Sequence, residues 1–246
     1  AETPRRRMVH HPGAAAVAHF AAGFAPDRGR CRPVRRGGAI AVERVELPGT
    51  LREAARVEAL AAAHVALAGG RAYHLEGRLA GLVFMLACWD LVFAPLPGAF
   101  VQPFQAGPLD LFSPAFAERR RASLARRLEE LASGRFGTDR ALAHWDTHRG
   151  TVNALLPWQA FDRATAATLF DGLAPAHRAA LCAHVAADPL RARRGFPDLT
   201  VLAVDGCRFL EVKGPGDTLR PDQREWLAFL RRAGIPAGVL EVRFAA

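Results

Sequence analysis

Apolar residues recur at helical spacing from Thr50 to Leu67, at Leu51, Ala55, Val57, Leu60, Val65 and Leu67, and Gly69-Gly70 ends the run. From Leu75 to Phe93 the chain is almost continuously apolar. Glu76, Arg78 and Asp90 interrupt it and Pro95 and Pro97 follow, so it reads as a buried core helix rather than a membrane span. Residues 98–116 carry Pro103, Pro108 and Pro114 and read as loop and short turns. An arginine-rich helix is expected over Pro114–Ser133 with Gly134 as its stop, another over 138–149, and two more between Ala160 and Ala187. The pattern then changes. Leu199–Val204 reads as a strand, Asp205-Gly206 as a hairpin turn, and Cys207–Lys213 as a second strand that ends at Gly214-Pro215-Gly216. Pro221 suits the first turn of a helix running to Ala233, and Ile235–Phe244 reads as a last strand. A short strand is also expected around Ala39–Val45. Residues 1–49 read as a lead-in or the edge of a missing upstream helical region, and residues 50–246 as the main domain. The fold class is α/β, with a mixed β-sheet at the C-terminal end, preceded and flanked by helices.

Composition sharpens this picture. Half of the 246 residues are hydrophobic and 23% are charged, which excludes wholesale disorder. A chain this long buries about 70–75% of its unfolded surface and needs no disulfide or metal staple. The net charge of +9 favours a polyanionic partner. Of the 33 basic residues only Lys213 is a lysine. Either coding bias converted the other positions to arginine, or position 213 requires an amine, which is compact and can release a proton. A lysine placed at random among the 33 basic positions would fall there one time in 33. Cys31, Cys88, Cys182 and Cys207 lie far apart with no CxxC, which fits buried thiols in a reducing compartment. There is no GxxxxGK[ST] or GxGxxG, so no nucleotide cofactor is expected. His144 and His148 stand four apart, with no third ligand near them in sequence.

The hairpin carries the chemistry. An Asp205-Gly206 turn would pair Val204 with Cys207, placing Asp198 opposite Lys213 and Thr200 opposite Glu211. Alternation puts Asp198, Glu211 and Lys213 on one face, with Val212 on the other. Asp198 and Glu211 are then spaced to hold one divalent cation beside the lysine. Hard oxygen ligands suit Mg²⁺ or Mn²⁺, and the Val212 carbonyl is within reach as a further ligand. Glu76 sits on the first turn of an apolar helix, either as a third ligand or because a helix N-terminus favours an acidic residue. Pro197-Asp198 followed by Glu211-Val212-Lys213 resembles the pattern of the PD-(D/E)xK nucleases. On the expected helix, Arg119, Arg120 and Arg121 form a basic stretch suited to phosphate contact.

Longer runs give a narrower resemblance. Phe196-Pro-Asp-Leu-Thr-Val, Phe209-Leu-Glu-Val-Lys-Gly-Pro-Gly-Asp and Asp222-Gln-Arg-Glu-Trp-Leu are similar to the VRR-Nuc domain of the Fanconi-associated nuclease family. So are His74-x-Glu76-Gly, Trp89-Asp-Leu-Val-Phe and Gln105-Ala-Gly-Pro-Leu-Asp-Leu, and the likeness spans roughly Cys31 to Phe244. The resemblance implies a restriction-endonuclease-like (PD-(D/E)xK) core. It also implies a structure-selective nuclease that cuts 5′ flaps and works as a 5′→3′ exonuclease in DNA interstrand crosslink repair. It implies Glu76, Asp198 and Glu211 as metal-binding carboxylates, the Val212 carbonyl as a further ligand, Lys213 as the catalytic lysine and Gln223 as a supporting residue. Arg191 and Arg194 stand next to Leu190, where a relative can have arginine, and join the expected DNA contacts. Asp222 replaces a basic residue found in some members. The expected partner is branched or flapped DNA, with further DNA-binding domains upstream of this chain and no membrane. The location implied is nucleoid-associated cytoplasm in a bacterium or the nucleus in a eukaryote. Two rival readings are a VRR-Nuc resolvase of four-way junctions and a non-catalytic DNA-binding module.

Overall fold

The computed structural model describes residues 40–75 and 77–245. Its centre is a sheet of β1 (Ala41–Leu47), β2 (Arg71–His74), β3 (Leu199–Ala203), β4 (Gly206–Lys213) and β5 (Ala237–Phe244), ordered β1-β5-β4-β3-β2. β5 runs parallel to both β1 and β4, and β3 is antiparallel to both β4 and β2. The mixed sheet agrees with the α/β class expected. Helix α1 (Val57–Leu67) covers one face, where its Leu60 and Val65 pack with Val45, Leu199, Val201, Leu210, Val212 and Leu240. The other face carries the larger helical layer. It comprises α2 (Arg78–Val92), α3 (Ala115–Arg119), α4 (Arg121–Ala132), α5 (Thr138–His148), α6 (Arg163–Asp171), α7 (Pro175–Ala187) and α8 (Pro221–Arg232).

The apolar run is α2, packed between α4, α5, α6 and α7, which is why nearly all of its side chains are buried. Each large aliphatic or aromatic side chain taken out of water there contributes about 1.5–3 kcal/mol. Its one late carboxylate, Asp90, meets Arg127 of α4 at 2.7 Å. Among the described residues no helix is long and apolar enough to cross a membrane. Trp89, Trp145, Trp158 and Trp226 all lie in the core.

Several boundaries move. The first helix begins at Val57, behind a short 3₁₀ turn at Gly49–Leu51. β2 was not expected. It has only four residues, with the two middle ones half-buried and the outer two exposed, so no period-two signal marks it. The arginine-rich helix is two helices, because Arg120 leaves helical geometry (φ −109°, ψ 10°) and turns its side chain inward. β1 pairs along its whole length with β5, so the sheet takes in residues on both sides of the 49/50 division.

β4, α8 and β5 form a parallel strand–helix–strand unit at the C-terminal end. Pro221 opens α8, and the Arg220 N–H donates to Gln223 Oε1 at 2.9 Å, closing its first turn. Gly195, at φ +78°, lies so close to this turn that a Cβ there would sit 2.5 Å from the Asp222 carbonyl carbon. The loop that delivers Asp198 is thereby fixed against the helix that delivers Gln223.

Candidate active site

The hairpin register differs from the expected one by two residues. Ala203 pairs with Gly206 and Leu199 with Leu210, so Val204 and Asp205 form the tip. Gly206, at φ +121°, opens β4 instead of completing the turn, a conformation that only glycine enters freely. One further step along the register sets Asp198 opposite Glu211, not opposite Lys213, and Thr200 faces Phe209. A slip of one residue would have turned the side chains to the other face, whereas a slip of two keeps the faces and draws the carboxylates closer.

Asp198 ends the loop before β3, and its Oδ2 accepts from the Val212 N–H at 2.9 Å. The β3–β4 ladder stops at Leu199–Leu210, so the next stretch of β4 is open on that side. Because a strand residue directs its N–H and C=O to the same side, the Val212 carbonyl also opens toward Asp198. Its side chain faces the opposite core and is 4% exposed.

Glu211 is 1% exposed. Lys213 Nζ donates to Glu211 Oε1 at 2.8 Å and to Gln223 Oε1 at 3.1 Å. Gln223 Oε1 therefore accepts from both the amine and the start of α8. Glu211 Oε2 has no protein partner, although it is buried. Burial pushes the Glu211 carboxyl up to about 7; the Lys213 ammonium pulls it down, and the neighbouring Asp198 carboxylate pushes it up again. An orphaned carboxylate oxygen beside a second carboxylate and an open carbonyl is a hard-oxygen set that fits a divalent cation.

A pH dependence follows. Above about pH 7 Glu211 is ionised and ready for a cation; below it a proton competes. Its folded value exceeds the ordinary glutamate value of 4.5, so the metal-free fold is favoured by this group at low pH and loses that contribution as pH rises through 7. The Mn²⁺-induced rise in Tm is therefore expected to be larger at pH 8 than at pH 6. Calorimetric affinity should tighten about tenfold per pH unit below 7 and level off above it. Equal Tm shifts at both pH values would refute this.

Glu76, the expected third carboxylate, lies outside the described residues, as does Cys31. Among the described residues no group of three or more His, Cys, Asp or Glu side chains gathers to hold a metal ion. His144 lies against the Leu86 carbonyl through Nδ1, and His148 stacks on Trp89 at 4.6 Å, so both belong to the packing of α2 and α5.

The arginines divide. Arg120 is corrected: it is 2% exposed, its guanidinium donates to the Leu91 carbonyl and Asp110, and it lies over the Phe116 ring, so it faces the core and not DNA. Arg119 also bonds Asp110, at 2.9 Å, and the Pro97 carbonyl. Arg127, on α4, is buried against Asp90. Arg121 remains 80% exposed, with Glu118 at 3.8 Å. Arg191 is exposed and forms a surface pair with Glu225. Arg194 is exposed and makes no side-chain hydrogen bond or ion pair among the described residues. The sequence also missed a cleft of about 300 Å³, lined among others by Gly77, Arg78, Asn153, Leu155 and Arg193. Its walls come from three distant segments with no shared motif, so only the fold assembles it.

The chain is similar to known proteins. Residues 138–244 match the VRR-NUC domain. The chain is 33% identical over 183 residues to the Fanconi-associated nuclease 1 homolog of Pseudomonas aeruginosa, a match covering 74% of this chain and 33% of that protein. It is 33% identical over 224 residues to human Fanconi-associated nuclease 1, covering 88% of this chain and 22% of the human protein. The chain thus spans a third or less of the length of these relatives. A crystal structure of paFAN1 bound to DNA with a 2-nucleotide 5′ flap and a gap is similar with a TM-score of 0.77 and 29% identity, over 90% of this chain and 40% of that one. The core is accordingly restriction-endonuclease-like. Asp198, Glu211, Lys213 and Gln223 all stand inside the matched domain, and the chain belongs to the VRR-NUC family and the Fanconi-associated nucleases that carry this domain.

Proposed function

We propose that this chain is a divalent-metal-dependent, structure-selective DNA nuclease that cuts 5′ flaps, digests 5′→3′, and serves in interstrand crosslink repair. The observation that carries this reading is the convergence of Asp198, the orphaned oxygen of buried Glu211 and the Lys213 amine at the open end of the β3–β4 ladder. Asp198, Glu211 and the Val212 carbonyl would hold the cation, with Glu76 as the third carboxylate. Mg²⁺ or Mn²⁺ bound there supplies polarisation of a phosphoryl oxygen and acidification of a water. The amine of Lys213 orients the attacking water and offsets charge as it builds on phosphorus. Gln223 holds that amine in place through its second hydrogen bond. In-line attack leaves a 5′-phosphate and a 3′-hydroxyl.

DNA enters along the exposed guanidiniums of Arg121, Arg191 and Arg194. The flapped DNA in the paFAN1 complex supports this choice of partner. Activity on DNA sets the place of action in the nucleoid or the nucleus. Alanine at both Arg121 and Arg194 is expected to lower the slope of log affinity against log salt by about 2, with Tm unchanged. An unchanged slope would remove both residues from the interface.

A metal-dependence assay on flaps labelled at the 5′ or the 3′ end tests the whole reading. Cleavage is expected only with Mg²⁺ or Mn²⁺, near the base of the flap. Binding without cleavage under either metal leaves a non-catalytic module, and symmetric paired nicks confined to four-way junctions mark a resolvase.

A further inference from the structure

Three buried oxygens on one face of the sheet have no protein partner: Glu211 Oε2 on β4, Thr200 Oγ1 on β3 and the Tyr73 hydroxyl on β2. Their positions are adjacent. Thr200 pairs directly with Tyr73 on one side and with Phe209 on the other, and Glu211 is the next residue of β4 on the same face as Phe209. Tyr73 and Phe209 both pack into the large helical core, whereas Leu199, Val201, Leu210 and Val212 pack into the opposite one. Thr200 and Glu211 therefore point the same way from neighbouring strands, and each is 1% exposed.

Diagonal positions on paired strands stand about 7–8 Å apart, with Cβ atoms somewhat closer. A hydroxyl and a carboxylate at that separation reach each other through one water. The shape of the site does not explain a threonine here, because valine has the same branched outline without a buried hydroxyl to satisfy. The polar atom itself needs a reason, and two groups with an unmet need flank it: the Tyr73 hydroxyl on β2 and the Glu211 carboxylate on β4, of which only the carboxylate belongs to the site.

We infer that Thr200 is a positioning residue for the carboxylate site: its hydroxyl, through an ordered water, holds the Glu211 oxygen that Lys213 does not. The inference rests on the metal-site reading above. Lys213 fixes Oε1 at 2.8 Å, and Thr200 fixes the approach of Oε2, so the plane of the carboxylate is set from both ends. Partners that orient a ligand in this way are worth about 10–100-fold in metal affinity.

The test is calorimetric titration of Mn²⁺ into the whole chain, wild type, Thr200→Val and Thr200→Ser, with the metal-free Tm of each. Thr200→Val is expected to weaken Mn²⁺ binding by about tenfold or more, and Thr200→Ser to stay within about threefold of wild type. A merely structural threonine gives the opposite pattern: valine raises Tm and leaves the affinity unchanged, which overturns the inference. Should valine strain the strand and lower Tm, Thr200→Ala removes the same hydroxyl by truncation and is read the same way. Wild-type protein that binds no Mn²⁺ sinks the metal-site reading and this inference together; wild-type binding with an unaltered valine variant sinks the inference alone.

Discussion

Lys213→Arg is expected to keep the fold, the charge and DNA binding, and to lose about 10²–10³-fold in single-turnover cleavage of a labelled flap. The Lys213 side chain is 13% exposed, and its amine occupies the space between two acceptors, Glu211 Oε1 at 2.8 Å and Gln223 Oε1 at 3.1 Å. A guanidinium is planar, is wider than an ammonium and reaches further along the stem. It can satisfy Glu211 only by displacing Gln223 or by moving the carboxylate. It also remains protonated throughout the working pH range, so it cannot exchange a proton with the attacking water. Because arginine keeps a cation against Glu211, Tm and DNA affinity should change little, and both serve as controls in the same preparation. A variant that cuts within about threefold of wild type would show that a positive charge suffices. The solitary lysine among 33 basic residues would then be an accident of composition.

How the site came to be readable follows from the chemistry of particular residues. Hairpin pairing and strand alternation together put Asp198, Glu211 and Lys213 on one face, and that survives a register error because the error is even. The error came from Gly206. The Asp-Gly pair signals a turn, but the glycine uses its positive φ one position later, as the first residue of β4. Gln223 came only from the family resemblance, and the structure adds that its side chain serves the helix start and the lysine at once. Arg120 misled for a physical reason. In a chain whose basic residues are nearly all arginine, a run of three says nothing about which member points outward. Only the break between α3 and α4 turns Arg120 toward Leu91 and Asp110. β2 was hidden because four residues at a sheet edge, two exposed and two half-buried, carry no periodicity. Thr200 was hidden too: a β-branched residue in a strand needs no explanation until its hydroxyl is found buried and unpaired.

Asp198→Asn is expected to abolish measurable cleavage, a loss of about 10³-fold or more, corresponding to roughly 4 kcal/mol or more of transition-state stabilisation. The choice of asparagine matters. Asp198 has two tasks: its Oδ2 accepts from the Val212 N–H at 2.9 Å, and its charge faces Glu211. An asparagine carbonyl oxygen can still accept from Val212, so the end of the hairpin stays anchored. The amide nitrogen then stands where an anionic oxygen is needed, and it offers a donor where a cation requires an acceptor. The fold should therefore survive with a Tm near that of wild type, while Mn²⁺ binding is lost. Alanine, by contrast, strips the acceptor from Val212 and leaves a backbone N–H unmet, so it is expected to cost about 1–3 kcal/mol of stability as well. The two variants separate structure from chemistry. Asparagine that binds Mn²⁺ as tightly as wild type would mean that Asp198 is a hairpin anchor and not a ligand, and the hydrolytic reading would lose its first carboxylate.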